Sequence, residues 1–232
     1  MKICVISDIH GSSKWKDILS KEKLHVDKFI FLGDYFDSKG HIRTSEEEFL
    51  NFQEIVAYKN LHQNIDLLIG NHDIQYLGSS RTSSFQRSTH LLIHDYLQLM
   101  VEQEVLKVAV CYDSYLFSHA GISNEWLRYK GYSSWEEANL HIKYNPKSIA
   151  FVSSPLANPT GDDPFQSPVW IRPYSLLLAA VPGYHQVVGH TRLKKMRIQE
   201  QCGLRYFFTD TTLLEYLVLD TETGMYKIMS VC

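Results

Sequence analysis

Five short polar clusters carry the chemistry that this 232-residue chain can do: Asp8-Ile9-His10, Gly33-Asp34-Tyr35-Phe36-Asp37, Gly70-Asn71-His72-Asp73, His119-Ala120-Gly121 and Gly189-His190. Each follows an apolar run that reads as a buried strand. Taken singly, each is a weak signal, since an aspartate after glycine commonly serves a turn. Five at successive strand ends are another matter, because strand ends converge on one edge of a sheet. Carboxylate and imidazole donors suit manganese, iron or zinc, and the lack of a cysteine among them argues against a structural zinc site. One carboxylate can bridge two such ions about 3.5–4 Å apart, and the pair can bind a phosphate and acidify a shared water for in-line attack on phosphorus. The expected cofactor is therefore two divalent transition metal ions, manganese first, with iron or zinc also compatible.

The elements that must position these clusters follow from the same runs. Ile3–Ile6, Lys28–Leu32 and Ile65–Ile69 read as strands, each closing on a polar loop. Trp15–Glu22 reads as a helix. A second helix should begin at Ser45, with Glu48 completing a capping box, and run to about Leu61. After a Gly/Ser/Arg loop at Gly78–Ser88, the leucines of His90–Gln103 have helical spacing. Val105–Cys111 and Ser114–Ser118 read as a hairpin, and His185–Val188 as a further strand. From Arg205 to Val231 the pattern alternates around a turn at Glu222-Thr223-Gly224, as in antiparallel strands. Strand, loop and helix repeat at first, and hairpins follow. The expectation is an α/β fold with two packed mixed β-sheets flanked by helices, a four-layer αββα sandwich, and not one doubly wound sheet. We read residues 1–232 as one domain, with insertions at about 78–104 and 123–167 over the active site.

Composition narrows the function classes. Hydrophobic residues make up 44% and charged residues 21%, which is ordinary for a globular domain. A net charge of −3 with no basic stripe gives no strong nucleic-acid signal. The longest apolar stretch, Leu176–Val181, stops at Pro182, far short of a membrane span, so no membrane partner is expected. Cys4, Cys111, Cys202 and Cys232 include no CxxC pair; Cys4 and Cys111 lie in strand-like runs where burial is expected. The apolar run at Ile3–Ile6 is broken at once by Ser7 and Asp8, unlike a signal peptide. A reducing, cytoplasmic setting is the expectation.

Together the five blocks resemble the signature of the calcineurin-like metallophosphoesterases, over Met1 to about Asp210. The resemblance implies that Asp8 and His10 bind a first metal, that Asp34 bridges, and that Asn71, His119 and His190 bind a second. It further implies that His72 is the general acid that protonates the leaving oxygen, with Asp37 orienting it. Asn71 and His72 would also touch the substrate. Many members carry Gly-His-x-His; here the second histidine is replaced by Arg192. A single histidine followed by Thr191, with His119-Ala-Gly, is similar to the branch of phosphoprotein phosphatases and symmetrical dinucleoside polyphosphate hydrolases. The run Pro168-Val-Trp-Ile-Arg172-Pro173 resembles a segment of that branch which offers an arginine, here Arg172, to the substrate phosphate.

Two departures bear on the substrate. Phosphoprotein phosphatases usually have an arginine after the second aspartate of Gly-Asp-x-x-Asp, where Ser38 stands here. They usually have another before Gly-Asn-His, where Ile69 stands. Lys39, Arg43, Arg81 and Arg87 are the cations near enough in sequence to compensate. The expected activity is hydrolysis of a phosphate ester, a phosphomonoester of a phosphoprotein or small molecule. A dinucleoside polyphosphate or a phosphodiester is the alternative substrate, and Trp126, Trp135, Tyr144 or Phe165 would then stack a base. A non-catalytic scaffold of the same fold should have lost ligands or the acid, and all of them are present.

Overall fold

The structure is a computed structural model that describes residues 1–38, 42–78, 80–82, 84–153, 158 and 160–231. Eleven strands among these residues form two mixed sheets. In the first sheet β1 (Lys2–Ile6), β2 (Lys28–Phe31), β3 (Ile65–Leu68) and β4 (Leu106–Lys107) run parallel. β10 (Glu215–Asp220) adds antiparallel to β1, and β11 (Tyr226–Ser230) antiparallel to β10. The second sheet has the order β5 (Ala109–Tyr112), β6 (Tyr115–Ser118), β7 (His185–Val188), β9 (Leu204–Phe208), β8 (Arg197–Gln201). Within it, β6, β7 and β9 are mutually parallel.

Side-chain alternation along the strands builds the layers. Ile3 and Val5 of β1 point between the sheets, where they meet Leu217, Leu219, Phe117, Val187 and Phe207. Cys4 and Ile6 point the other way, onto the buried faces of α1 (Trp15–Glu22) and α2 (Ser45–Leu61). On the far side, Tyr206 and Phe208 of β9 pack against Leu176 of α7 (Pro173–Ala179), while Phe207 between them faces the inter-sheet core. Helix, sheet, sheet, helix is thus the layer order. Beyond the short α3 (Asn71–Ile74), α4 (His90–Glu102), α5 (Asn124–Lys130) and α6 (Glu136–Tyr144) join the helical layer of the first sheet through Ile93, Leu97, Trp126, Leu127, Ala138 and Ile142.

Several expectations need correction. The capping box of α2 lies one residue earlier than Ser45 and Glu48: Glu47 N donates to Thr44 Oγ1, and Thr44 N to Glu47 Oε2. Glu48 is left free for another task, described below. Val105–Cys111 is not one strand of a hairpin. It is divided at Val108 between β4 of the first sheet and β5 of the second. The Asn139 side chain of α6 braces the crossing, its Oδ1 accepting from Val108 N at 2.7 Å and Ala109 N at 3.1 Å. The tail is only partly antiparallel, since β9 runs parallel to β7. Cys4 is buried, whereas Cys111 is half-buried; Cys232 lies outside the described residues. No helix among the described residues is long and apolar enough to cross a membrane.

Candidate active site

Parallel pairing of β1, β2 and β3 puts the loops that follow them on one edge of the first sheet. Parallel β6 and β7 do the same in the second. A bond from His119 Nδ1 to Leu32 O, 2.8 Å, joins the two edges. Asp8, His10, Asp34, Asp37 and His190 all take left-handed backbone, with φ of 52°, 43°, 57°, 62° and 64°. Five such residues in the loops after three strands, β1, β2 and β7, are strain concentrated where function tends to use it. It turns each side chain back across the edge and into a common centre.

Asp34 is that centre. Its Oδ1 lies 3.5 Å from His119 Nε2 and accepts from His72 N at 2.9 Å, while its Oδ2 lies 3.7 Å from His10 Nε2. Asp34 shares ligand distance with two groups, His10 with His72 and Asp8 with His119, their donor atoms lying within 4.8 Å of one another. Asn71 Oδ1 sits 2.9 Å from both His119 Nε2 and His190 Nδ1. Asp8 accepts from His190 N at 3.0 Å. All six residues expected as metal ligands therefore meet in one place. Glycines make the room: a Cβ on Gly70 would strike Asp34 Oδ1, and one on Gly189 would strike Asp8 Oδ2.

The donor set fits divalent transition cations. Three imidazoles are each fixed from behind by a backbone carbonyl: His10 Nδ1 by Phe36 O at 2.7 Å, His119 Nδ1 by Leu32 O, and His190 Nε2 by Trp170 O at 3.2 Å. A carbonyl accepts only, so the ring proton sits on that outer nitrogen and a lone pair faces inward. For His119 and His190 that lone pair faces Asn71 Oδ1, itself an acceptor. Burial lowers the pKa of both rings. Lone pairs converging in this way suit a cation. Burial alone would raise the Asp34 carboxyl, but His119, His72 and His10 outweigh it and hold Asp34 ionised.

His72 differs from the other three. Its Nδ1 rests on a carboxylate, Asp37 Oδ2, at 2.9 Å. Burial would lower its pKa, yet the Asp34 and Asp37 charges raise it above the ordinary value. Proximity alone also puts His72 in a group with His10 and Asp34; the carboxylate partner is what sets it apart.

Arg172 caps α7 and is half-buried. Its Nε donates to Thr160 O at 3.0 Å and its NH1 to Thr191 Oγ1 at 3.2 Å. Burial depresses its pKa, opposed by the charges of Asp34, Asp162, Asp210 and Asp8, so it lies within electrostatic reach of the ligand cluster. Asp162 is engaged with Ser175 N and Oγ, and no ion pair joins Arg172 to Asp162 or Asp163 among the described residues. At the two positions lacking arginine, Ile69 is turned into the core and Ser38 is buried. Arg43 is half-buried, its Cδ against Gly11 beside His10. Arg81 is exposed on the Phe85 ring at 4.4 Å, Arg87 is exposed, and Lys39 lies outside the described residues. Of the aromatics considered for base stacking, Trp126 is wholly core and Tyr144 is exposed on α6.

Three buried groups of this region have no site role in the sequence reading. Asp73 accepts from Asp34 N at 2.8 Å, Gly70 N at 2.7 Å and Tyr35 N at 2.8 Å, bracing two strand-end loops together. Glu48 accepts from Asp37 N and Ser38 N. Asp210, at the end of β9, is buried and acts electrostatically on Arg172 and His119. A charged residue at the close of a strand was the available signal for Asp210. In sequence Glu48 reads as a capping-box residue and Asp73 as the last member of a polar cluster, and neither position reveals the backbone groups it grips.

This fold and this site define a metal-dependent phosphoesterase. The model of the calcineurin-like phosphoesterase family matches residues 1–217, and the chain belongs to that family. Solved structures agree on the fold. A cold-active protein-tyrosine phosphatase of a psychrophilic Shewanella species superposes with a TM-score of 0.62 at 19% identity, covering 99% of this chain and 80% of that one. A metallophosphoesterase from Sphaerobacter thermophilus gives a TM-score of 0.53 at 16% identity, covering 100% and 89%. A candidate diadenosine tetraphosphatase gives 0.54 at 13%, covering 100% and 94%. No curated protein is significantly similar to the chain in sequence.

Proposed function

We propose that this phosphoesterase hydrolyses phosphomonoesters of alcohols, as on a phosphoserine or phosphothreonine protein or a small metabolite. The observation that carries this reading is the His72–Asp37 pair. An alcohol leaves as a poor anion and needs a proton as its bond to phosphorus breaks. The phosphate expelled from an anhydride leaves readily without one. An imidazole held by a carboxylate, beside the ligand cluster but not directed by a carbonyl like the other three, is suited to the first case.

Two divalent transition ions, manganese above iron or zinc, are proposed as the cofactor. Asp8 and His10 would hold one, Asn71, His119 and His190 the other, and Asp34 both. Such ions offset the charge of a bound phosphoryl group and make water more acidic. The chain's own residues do the rest. Phe36, Leu32 and Trp170 carbonyls aim the three ligand imidazoles. Asp37 keeps the proton of His72 on Nδ1, so that Nε2 of the imidazolium delivers the other to the leaving oxygen. Arg172, tethered by Thr160 and Thr191, offers its remaining N–H groups to a phosphate oxygen as a planar fork.

A panel of phosphoserine peptide, phosphotyrosine peptide, dinucleoside tetraphosphate and cyclic nucleotide, assayed with added manganese, tests the substrate class. The phosphoserine peptide should be turned over with the highest kcat/KM. Preference for the dinucleotide or the cyclic nucleotide would replace this reading with a polyphosphate hydrolase or a phosphodiesterase.

A further inference from the structure

The carboxylate that aims His72 is itself gripped from every side. Asp37 sits in left-handed backbone, φ 62°, a conformation uncommon for a residue other than glycine and one that its surroundings here hold in place. What imposes it is Glu48 of α2. Glu48 Oε2 accepts from Asp37 N at 2.8 Å and Oε1 from Ser38 N at 2.7 Å. Two successive backbone N–H groups closing on one anion form a nest. Glu48 is fully buried, and among the described residues no lysine or arginine pairs with it. Among the described residues its other side-chain partner is Gln86 Nε2 at 3.1 Å. A buried carboxylate without a cation is costly unless donors satisfy it, and here those donors belong mainly to the backbone that carries Asp37.

The Asp37 side chain is fixed as firmly. Tyr76 OH donates to Oδ1 at 2.6 Å, while Gln75 Nε2 and His72 Nδ1 share Oδ2. Both oxygens are thereby committed and the carboxylate cannot rotate. Gln75 and Tyr76 are held in turn: Gln75 Oε1 accepts from Thr82 N at 2.8 Å, and Tyr76 OH accepts from Gln86 N at 3.3 Å.

We propose that Glu48, Tyr76 and Gln75 form a clamp whose task is leaving-group protonation: by fixing Asp37 they fix the tautomer and aim of His72. They are positioning residues and touch no substrate. The proposal rests on the reading of His72 as the acid. Loss of the clamp should therefore slow esters with poor leaving groups and spare those with good ones. A merely structural role would slow both alike.

The test is kcat and KM for phenyl phosphate and 2,4-dinitrophenyl phosphate, measured on the metal-loaded wild type, Tyr76→Phe, Glu48→Gln and His72→Asn. Bound metal and thermal unfolding are recorded for each. General acid catalysis contributes on the order of 10²–10⁴-fold, and a misaimed acid should forfeit part of that, about tenfold more on phenyl than on dinitrophenyl phosphate for each clamp variant. The loss should fall in kcat, with KM little changed and metal content intact. If a variant does not fold, the other clamp variant and Gln75→Ala decide. Equal losses on both esters, or none, in the clamp variants while His72→Asn still discriminates would overturn the clamp alone. Equal losses in His72→Asn itself would overturn the acid reading and the clamp with it.

Discussion

Asp73 offers the sharpest test of how the strand-end loops are held. It is fully buried, and its carboxylate accepts three backbone N–H groups, from Asp34, Tyr35 and Gly70. Two of these belong to the loop after β2 and one to the loop after β3, so one side chain ties both to a common geometry. Replacing it with alanine strands three buried donors. Each costs about 1–3 kcal/mol, which sets a ceiling of roughly 3–9 kcal/mol. Relaxation of the loops and entry of water reduce this, and the expected loss is about 3–5 kcal/mol, a large share of a typical folding stability. Asp73→Asn should fall between: its amide oxygen can keep Asp34 N and Gly70 N, while its NH₂ faces Tyr35 N, a donor against a donor. Chemical denaturation of the three proteins measures the order wild type, Asn, Ala. Alanine within about 1 kcal/mol of wild type would refute the reasoning, since even one stranded donor should cost that much.

Three other predictions concern the chemistry. His72→Asn should retain its metal and lose about 10²–10⁴-fold in kcat on a phosphoserine peptide; loss of metal in parallel would make His72 a ligand. Arg172→Ala should lower kcat/KM by about 2–5 kcal/mol with metal content unchanged. Arg172→Lys should recover only part of this, because it keeps charge but not the fork, and near-normal turnover by Arg172→Ala would point to Arg43 beside Gly11. Gly189→Ala places a methyl group on the Asp8 carboxylate, so metal affinity measured by titration should fall by about 10–100-fold, as when a ligand's support is disturbed, with the fold intact.

Much of the architecture was legible because its signals are local. Ile3–Ile6, Lys28–Leu32, Ile65–Ile69 and His185–Val188 are apolar runs stopped by Gly, Asp or Ser, and each is a strand to within a residue or two. What escaped depends on tertiary context. Val105–Cys111 reads as one apolar run, and nothing local announces that Asn139, some thirty residues on, divides it between two sheets. β8 reads Arg-Ile-Gln-Glu-Gln, with a single apolar side chain, because it is an edge strand with little to bury. Glu47 and Glu48 are equally plausible helix-start glutamates in sequence. Position around the helix decides that one caps α2 and the other reaches Asp37. The polar clusters could be seen as a group, but the carbonyls of Phe36, Leu32 and Trp170 that orient the imidazoles are backbone atoms and have no signature at all.

In the proposed metal centre one carboxylate, Asp34, organises a pair of cations. Elemental analysis of the manganese-loaded protein after removal of free metal, on wild type and Asp34→Asn side by side, tests it most directly. Two ions per wild-type chain are expected, with loss of tightly bound metal from Asp34→Asn while it remains folded. A single ion in the wild type, or two retained by Asp34→Asn, would contradict it.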